Sequence, residues 1–224
     1  VLTFAPDRIA LFGYAHVPWV SKRQKLIDES ALPGDLARYT LATCAAERFV
    51  EAGLTPIGID HFATPEDDLA VAHETGRLRR NFQGYTADSC QTLIGLGASS
   101  ISRFPGGYVQ NAPATAAYKQ RIAQAIFPGS RGYAMTEDDQ LHARAIEKLM
   151  CDFTLDLEDL SSEYGPCAYR LRPCLEDIET RFKPFARLVG QRISIAPEGR
   201  SLTRIIVSTL DQHVPEGVRY SRAS

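Results

Sequence analysis

Residues Asp60 to Ser102 read DHFATPEDDLAVAHETGRLRRNFQGYTADSCQTLIGLGASSIS, and most of the fold follows from how this stretch is parsed. It sets a strand end, a capped helix, an arginine-rich run, an aromatic turn and a glycine-spaced apolar strand in succession. Thr64-Pro65-Glu66-Asp67 reads as a helix start, with Thr64 as N-cap, Pro65 preset at the first helical position and acid in the first turn. Leu69, Ala72 and His73 recur at helical spacing, and Gly76 is a natural stop. The turn Asn81-Phe82-Gln83-Gly84-Tyr85-Thr86 places an aromatic ring, a side-chain amide and a phenol beside a glycine. Such a group can stack and hydrogen-bond a flat polar ligand. In the run Leu93 to Ser102, Gly95 and Gly97 admit a close approach to the backbone, whether by a ligand or by packing alone.

Outward from this stretch, Asp7 to Ala15 reads as a buried strand, a short apolar run ending in small residues. A helix is predicted from about Pro33 to Ala52, with Leu36, Tyr39, Phe49 and Val50 on its apolar side and Gly53 past its end. Pro56 to Asp60 is the next strand. Strand–helix–strand is the unit of a parallel sheet. Beyond Gly106-Gly107 the organisation changes. A helix from Pro113 to about Ala125 precedes a loop over Phe127 to Tyr133. Thr136-Glu137-Asp138-Asp139 resembles a capping box and opens an amphipathic helix through Leu149. More helix is expected between Asp156 and Lys183, then a hairpin over Leu188 to Ile195 and a last helix from Pro197 to about Asp211. Helices followed by a hairpin and a helix suggest a winged-helix-type module. Its wing has few basic residues, so a cover over the first part is a better reading than DNA binding.

The 224 residues are 44% hydrophobic and 23% charged, enough for a sizeable core. A net charge of −2 argues against a dedicated binder of nucleic acid or membrane surfaces. No apolar run approaches the roughly 20 residues of a membrane span, and no signal peptide is visible. The chain starts at Val1 inside an apparent strand, as a piece of a longer protein would. Cys44, Cys90, Cys151, Cys167 and Cys174 are scattered, an odd set that suggests reduced thiols in a cytoplasmic protein.

IGIDHFATPEDDLA, RNFQGYT and LIGLGASSIS, in this order and spacing, resemble the oxygen-independent coproporphyrinogen III oxidases of the radical S-adenosylmethionine superfamily. FGYAHVPW upstream, and YVQN and RGYAMTEDD downstream, fit the same family, so the resemblance runs from about Asp7 to the C-terminus. The related haem chaperones share the barrel but carry an Asn and a Tyr-Trp pair where this chain reads RNFQGYT. That difference favours the oxidase over the alternative, a non-catalytic haem-binding protein on the same scaffold.

The resemblance implies an α/β fold: residues 1–110 as the C-terminal portion of a partial (β/α) barrel with its extension, and residues 111–224 as a mainly helical, winged-helix-like α+β module with a small hairpin. In such barrels function gathers at the C-terminal ends of strands, where Ala15/His16, Asp60/His61 and Ile101/Ser102 are expected. It also implies oxidative decarboxylation of two propionates of coproporphyrinogen III to vinyl groups, giving protoporphyrinogen IX. In the family a reduced 4Fe–4S cluster cleaves S-adenosylmethionine to a radical that abstracts a propionate hydrogen. Its three-cysteine signature, C-x3-C-x2-C, is absent here, which implies cluster ligands in an N-terminal half. Two S-adenosylmethionine molecules bind in the family. On matching positions Ala15 lies along one, Ile101 contacts the adenosine part, and Phe82 and Gln83 line the second site. No catalytic residue and no metal ligand is assigned in this chain, and the whole protein is expected to be a monomer. His16 and His61 read as hydrogen-bonded histidines before they read as ligands. Since the substrate bears four carboxylates, at least one of Lys22, Arg23, Arg77, Arg79 and Arg80 is expected to point into the barrel mouth.

Overall fold

Short apolar runs separated by glycine turns fold into short elements. The computed structural model of the chain describes residues 1–213. Its first sheet combines β1 (Arg8–Ala10), β2 (Thr55–Ile57) and β3 (His61–Ala63), in the order β1–β3–β2. Helix α1 (Asp35–Glu51) joins β1 to β2, which run the same way. They are not neighbours, because β3 lies between them and pairs antiparallel with both. Every ladder between strands among the described residues is antiparallel, which corrects the expected parallel sheet. Gly58, at φ +58, lets the chain reverse straight after β2 and fill the slot that a parallel neighbour would take.

Two expectations of burial also fail here. Only β3 covers β1, so the segment 7–15 is an edge with Phe12 exposed rather than a buried strand. In α1 the side chains of Leu36, Tyr39 and Val50 are exposed, and only Phe49 is buried, against Leu54 and Phe62. An apolar face is covered only where another element reaches it, and β2–β3 reach one end of this helix. Ala15 and His16 follow β1 in irregular chain rather than ending a strand.

Helix α2 (Asp68–Glu74) starts later than expected. Asp67, not Thr64, is the cap, its side chain accepting from the Leu69 amide at 2.8 Å. Thr64 is still held by the first sheet, its amide donating to the Asp7 carbonyl at 2.9 Å. Strands β4 (Arg79–Asn81) and β5 (Gly84–Thr86) form a hairpin. A third sheet joins β6 (Ile101–Phe104), β7 (Gly107–Asn111) and β8 (Gly129–Ala134), with α3 (Thr115–Ala123) between β7 and β8. Residues 93–100 are therefore not a strand: they meet β6 at the isolated Leu93–Arg103 bridge and are otherwise tied to the sheet by single hydrogen bonds, the Asn111 amide donating to the Ser100 carbonyl at 2.9 Å among them. Ile101 and Ser102 begin a strand instead of ending one. Most of the loop expected over 127–133 is strand β8, zipped to β7 where Gly107 and Gly132 bring the two backbones too close for a Cβ.

Helix α4 (Glu137–Asp152) opens with a true capping box between Thr136 and Asp139. Phe153, left-handed at φ +57, then turns the chain into β9 (Thr154–Asp156), a strand too short to show in the pattern. After α5 (Leu157–Tyr164), a 3-10 stretch and α6 (Arg172–Phe182) comes the hairpin of β10 (Ala186–Val189) and β11 (Arg192–Ile195), with β9 on its far side. The last helix is not continuous: 3-10 turns flank α7 (Thr203–Val207), the first of them where Gly199 is pressed against Phe185.

Leu141, Ala145 and Leu149, spaced four apart on α4, carry the main core with Leu157, Leu171, Leu175, Ile178, Ile193 and Ile206. Each large aliphatic side chain so buried contributes roughly 1.5–3 kcal/mol. The opposite side of α4 reaches a second core through Cys151, which packs with Ile57, Leu69, Leu78 and Tyr85. Burial pushes the Cys151 thiol up to about 12, making it an inert packing group. No helix among the described residues is long and apolar enough to cross a membrane.

Candidate functional site

Asn81-Phe82-Gln83-Gly84 has the composition of a tight hairpin turn and forms one. Asn81 pairs with Gly84 across the β4–β5 ladder, and its Oδ1 accepts from the Gln83 amide at 2.8 Å. Gly84 sits at φ +141, where a Cβ would press on His61 Nε2 at 3.0 Å. Phe82 and Gln83 therefore stand exposed at the tip. Tyr85 is buried: its hydroxyl donates to the Met150 carbonyl at 2.8 Å and receives the Ile59 amide at 3.0 Å. Burial is the main cause that pushes its pKa up. The Arg80 guanidinium stacks on the Tyr85 ring at 4.5 Å, and His61 meets that ring edge-on at 5.1 Å.

Behind the hairpin, buried Asp60 gathers cations. Its Oδ1 bonds His61 Nδ1 at 2.6 Å, and its Oδ2 accepts from Arg204 of α7. Burial alone would raise the Asp60 pKa, but the His61 hydrogen bond and the charges of Arg204 and Arg80 outweigh it and hold the carboxyl below its ordinary value. A depressed folded pKa contributes stability that is present above the unfolded value of about 3.9 and is lost as pH falls through the folded one. Asp60→Asn should thus cost about 1–3 kcal/mol near neutrality. The gap from wild type, read from urea midpoints, should close below about pH 4. A gap independent of pH would show that the pair does not hold these two parts together.

On the β6–β7 ladder, Ile101 opposes Gln110 and Arg103 opposes Tyr108, so these four share one face. Phe82 meets Tyr108 edge-on at 5.3 Å. Between this face, the hairpin, α4 and α7 opens a pocket of about 420 Å³, lined by Arg80, Asn81, Phe82, Arg103, Tyr108, Ile146, Met150, Arg204 and Val207 among others. The structure therefore brings Phe82 into a pocket and Ile101 onto the sheet face that forms one wall, with Gln83 next to Phe82 at the tip. Ala15 lies on a separate exposed segment, where its carbonyl accepts from Gln24 Nε2 at 3.1 Å.

Among the basic candidates, Arg80 lines the pocket, Arg79 pairs with Glu147 at 3.2 Å, and Arg77 bonds the Thr75 hydroxyl at 3.0 Å. Lys22, Arg23 and Lys25 are exposed on a 3-10 turn. What approaches Gly95 is the chain itself, since a Cβ there would strike the Ile101 backbone. The Asn111 amide then staples that loop through the Gly95 and Gly97 carbonyls at 2.9 and 3.0 Å. His16 bonds Glu29 at 3.0 Å and Tyr14 at 3.2 Å. Sequence reasoning passed over Arg103, Tyr108 and Arg204. The first two were within reach, because Phe104-Pro105-Gly106-Gly107 between alternating residues is a hairpin signal.

An iron–sulfur cluster needs several thiolates on neighbouring positions. Here Cys44 and Cys90 are exposed, Cys151 is buried, and Cys167 and Cys174 are half-buried, all free. Among the described residues no three His, Cys, Asp or Glu side chains gather as a metal site, and residues 214–224 contain no cysteine. The side chains of this chain do not fit a cluster.

No family model matches the chain. It is 52% identical to the oxygen-independent coproporphyrinogen III oxidase of Cereibacter sphaeroides over 100% of this chain and 50% of that protein. Against the oxidase of the same name from Paracoccus denitrificans it is 47% identical over 94% of this chain and 47% of the relative. The chain thus spans about half the length of these curated relatives. The solved structure of coproporphyrinogen III oxidase from Escherichia coli, described as a radical SAM enzyme, superposes with a TM-score of 0.86 at 30% identity, covering 93% of this chain and 49% of that one. The oxidase of Thermostichus vulcanus is 35% identical over 99% of this chain and 70% of its own length. On that breadth of identity, and with the mixed α/β fold in common, the chain belongs to the oxygen-independent coproporphyrinogen III oxidase family.

Proposed function

We propose that this chain is the C-terminal half of an oxygen-independent coproporphyrinogen III oxidase, acting in the oxidative decarboxylation of coproporphyrinogen III to protoporphyrinogen IX. The observation that carries the reading is the pocket where Phe82 and Tyr108 present aromatic edges beside arginines. In this reading residues 1–110 close a partial barrel and residues 111–224 form a winged-helix-like cover, with the sheet β6–β7–β8 as the joint across position 110. The whole protein is a cytoplasmic monomer that takes up no nucleic acid, and the five free thiols of this chain accord with a reducing compartment.

S-adenosylmethionine supplies the radical chemistry when bound. The part of this chain is to hold and orient it against the substrate. Phe82 offers an exposed ring for a flat group, Gln83 a side-chain amide beside it, Ile101 an apolar contact for adenosine, and Ala15 a small side chain past which a ligand can lie. Among the described residues no side chains gather to hold the 4Fe–4S cluster, and we assign its ligands to the half of the protein outside this chain.

Gln83 tests the reading because its side chain makes no hydrogen bond among the described residues while standing at the turn tip. In the whole protein, Gln83→Ala should lower turnover of coproporphyrinogen III by about tenfold or more. The melting temperature should stay within about 1–2 °C, as for an ordinary surface substitution. Wild-type turnover in a normally expressed variant would remove Gln83 from the site.

A further inference from the structure

Arg80 is an unusual pocket residue. Its Nη1 is buried and has no hydrogen-bond partner, although the guanidinium is stacked on Tyr85. Across the pocket, Arg103 makes no side-chain hydrogen bond or ion pair among the described residues. The third arginine of the lining, Arg204, is committed to Asp60. The lining carboxylate Glu147 is committed too, to Arg79, Arg144 and the Arg80 backbone amide. Two guanidiniums with unused donors therefore share one pocket; its other carboxylate, Asp211, accepts the His213 amide rather than a bond from either arginine, and Arg80 acts on Asp60 through charge without a hydrogen bond. A buried N–H aimed at nothing is unfavourable, and two like charges lining one pocket add to the cost.

The rest of the lining says which anion fits. Ile146, Met150 and Val207 give the pocket an apolar floor, and Phe82 and Tyr108 give it aromatic edges. A bare inorganic anion would gain nothing from that floor. A carboxylate on a short aliphatic stem buries its methylenes there and presents its oxygens to the guanidiniums. We infer that Arg80 and Arg103 form a carboxylate clamp that anchors the substrate through one propionate arm. The inference rests on the activity proposed above and extends it to Arg103, which lies outside the quoted motifs.

The stem-borne carboxylate could also come from the methionyl end of S-adenosylmethionine, and the experiment separates the two sources. In the whole protein, Arg103→Gln is measured against wild type for equilibrium binding of coproporphyrin III, of its tetramethyl ester and of S-adenosylmethionine. Loss of one charge-assisted contact should weaken coproporphyrin III binding about tenfold or more. Binding of the ester and of S-adenosylmethionine should change less than about twofold, and Arg80→Lys, which keeps charge but loses the planar fork, should repeat the pattern. Unchanged coproporphyrin III affinity in both variants overturns the clamp, and so does a loss confined to S-adenosylmethionine. A wild-type protein that binds coproporphyrin III but does not turn over coproporphyrinogen III sinks the proposed activity instead. The clamp is then judged by the tetra-acid against the tetraester alone.

Discussion

Purified by itself and reconstituted with iron and sulfide under strong reductant, the 224-residue chain should develop no cluster absorbance and form no 5′-deoxyadenosine. This is the largest effect expected, a complete absence of activity. Its cause is the placement of the thiols. Cys44 lies on α1, Cys90 in the loop after β5, and Cys151 inside α4 with its thiol held protonated, so no loop presents adjacent thiolates. The chain should also self-associate on size-exclusion chromatography. Strand β1 is a sheet edge, and exposed apolar groups lie along 7–15 and α1, Phe12 and Leu36 among them. Supplying the other half of the protein in trans should restore activity if the two pieces dock. Stoichiometric iron and sulfide on the isolated chain, with deoxyadenosine produced, would refute the assignment of the ligands to the other half.

Gly58→Ala should be the most damaging single substitution near the site. Gly58 is left-handed at φ +58, and a Cβ there would overlap the Tyr85 ring. The left-handed backbone costs about 1–2 kcal/mol for alanine. Forcing a buried ring aside adds about 1–3 kcal/mol, for a total of about 2–5 kcal/mol, with about 3 kcal/mol near its middle. The ring has little freedom to yield, because its hydroxyl is fixed by Ile59 and Met150 and its face by Arg80. Gly76→Ala is the control: φ is +66 there, but nothing lies within 4 Å of the added methyl. Thermal melts should show a drop of roughly 6–12 °C for Gly58→Ala and a few degrees for Gly76→Ala. Equal shifts would mean that backbone conformation matters and the Tyr85 contact does not. In the whole protein Gly58→Ala should also displace Arg80 and Phe82, which share the hairpin with Tyr85.

Local patterns made a good part of this legible. The Thr136 capping box, the Gly76 stop, the hairpin after α6 and the turn at Phe82-Gln83 each depend on residues within a few positions of one another. The family resemblance added what spacing alone does not contain, naming Phe82, Gln83, Ile101 and Ala15. What went astray depends on partners distant in sequence. The apolar side of α1 met cover at Phe49 alone, and residues 127–133 became a strand because β7 offered a backbone edge. The first sheet turned antiparallel because β3 inserted between β1 and β2.

The pocket shows the same division. The hairpin turn was written in Asn81, Gly84 and the residues between them, because turn geometry is a local property of φ and of side chains that bond their own backbone. The arginines are a different matter. Arg103 comes to Phe82 through a strand register, and Arg204 reaches Asp60 across 144 positions. No periodicity encodes such a pairing, since side chains that distant meet only after separate cores have packed. The sequence by itself determined the hairpin turn at Phe82-Gln83, the Thr136 cap and the family. Only the tertiary structure decided which charges are neutralised and which two guanidiniums are left facing an open pocket.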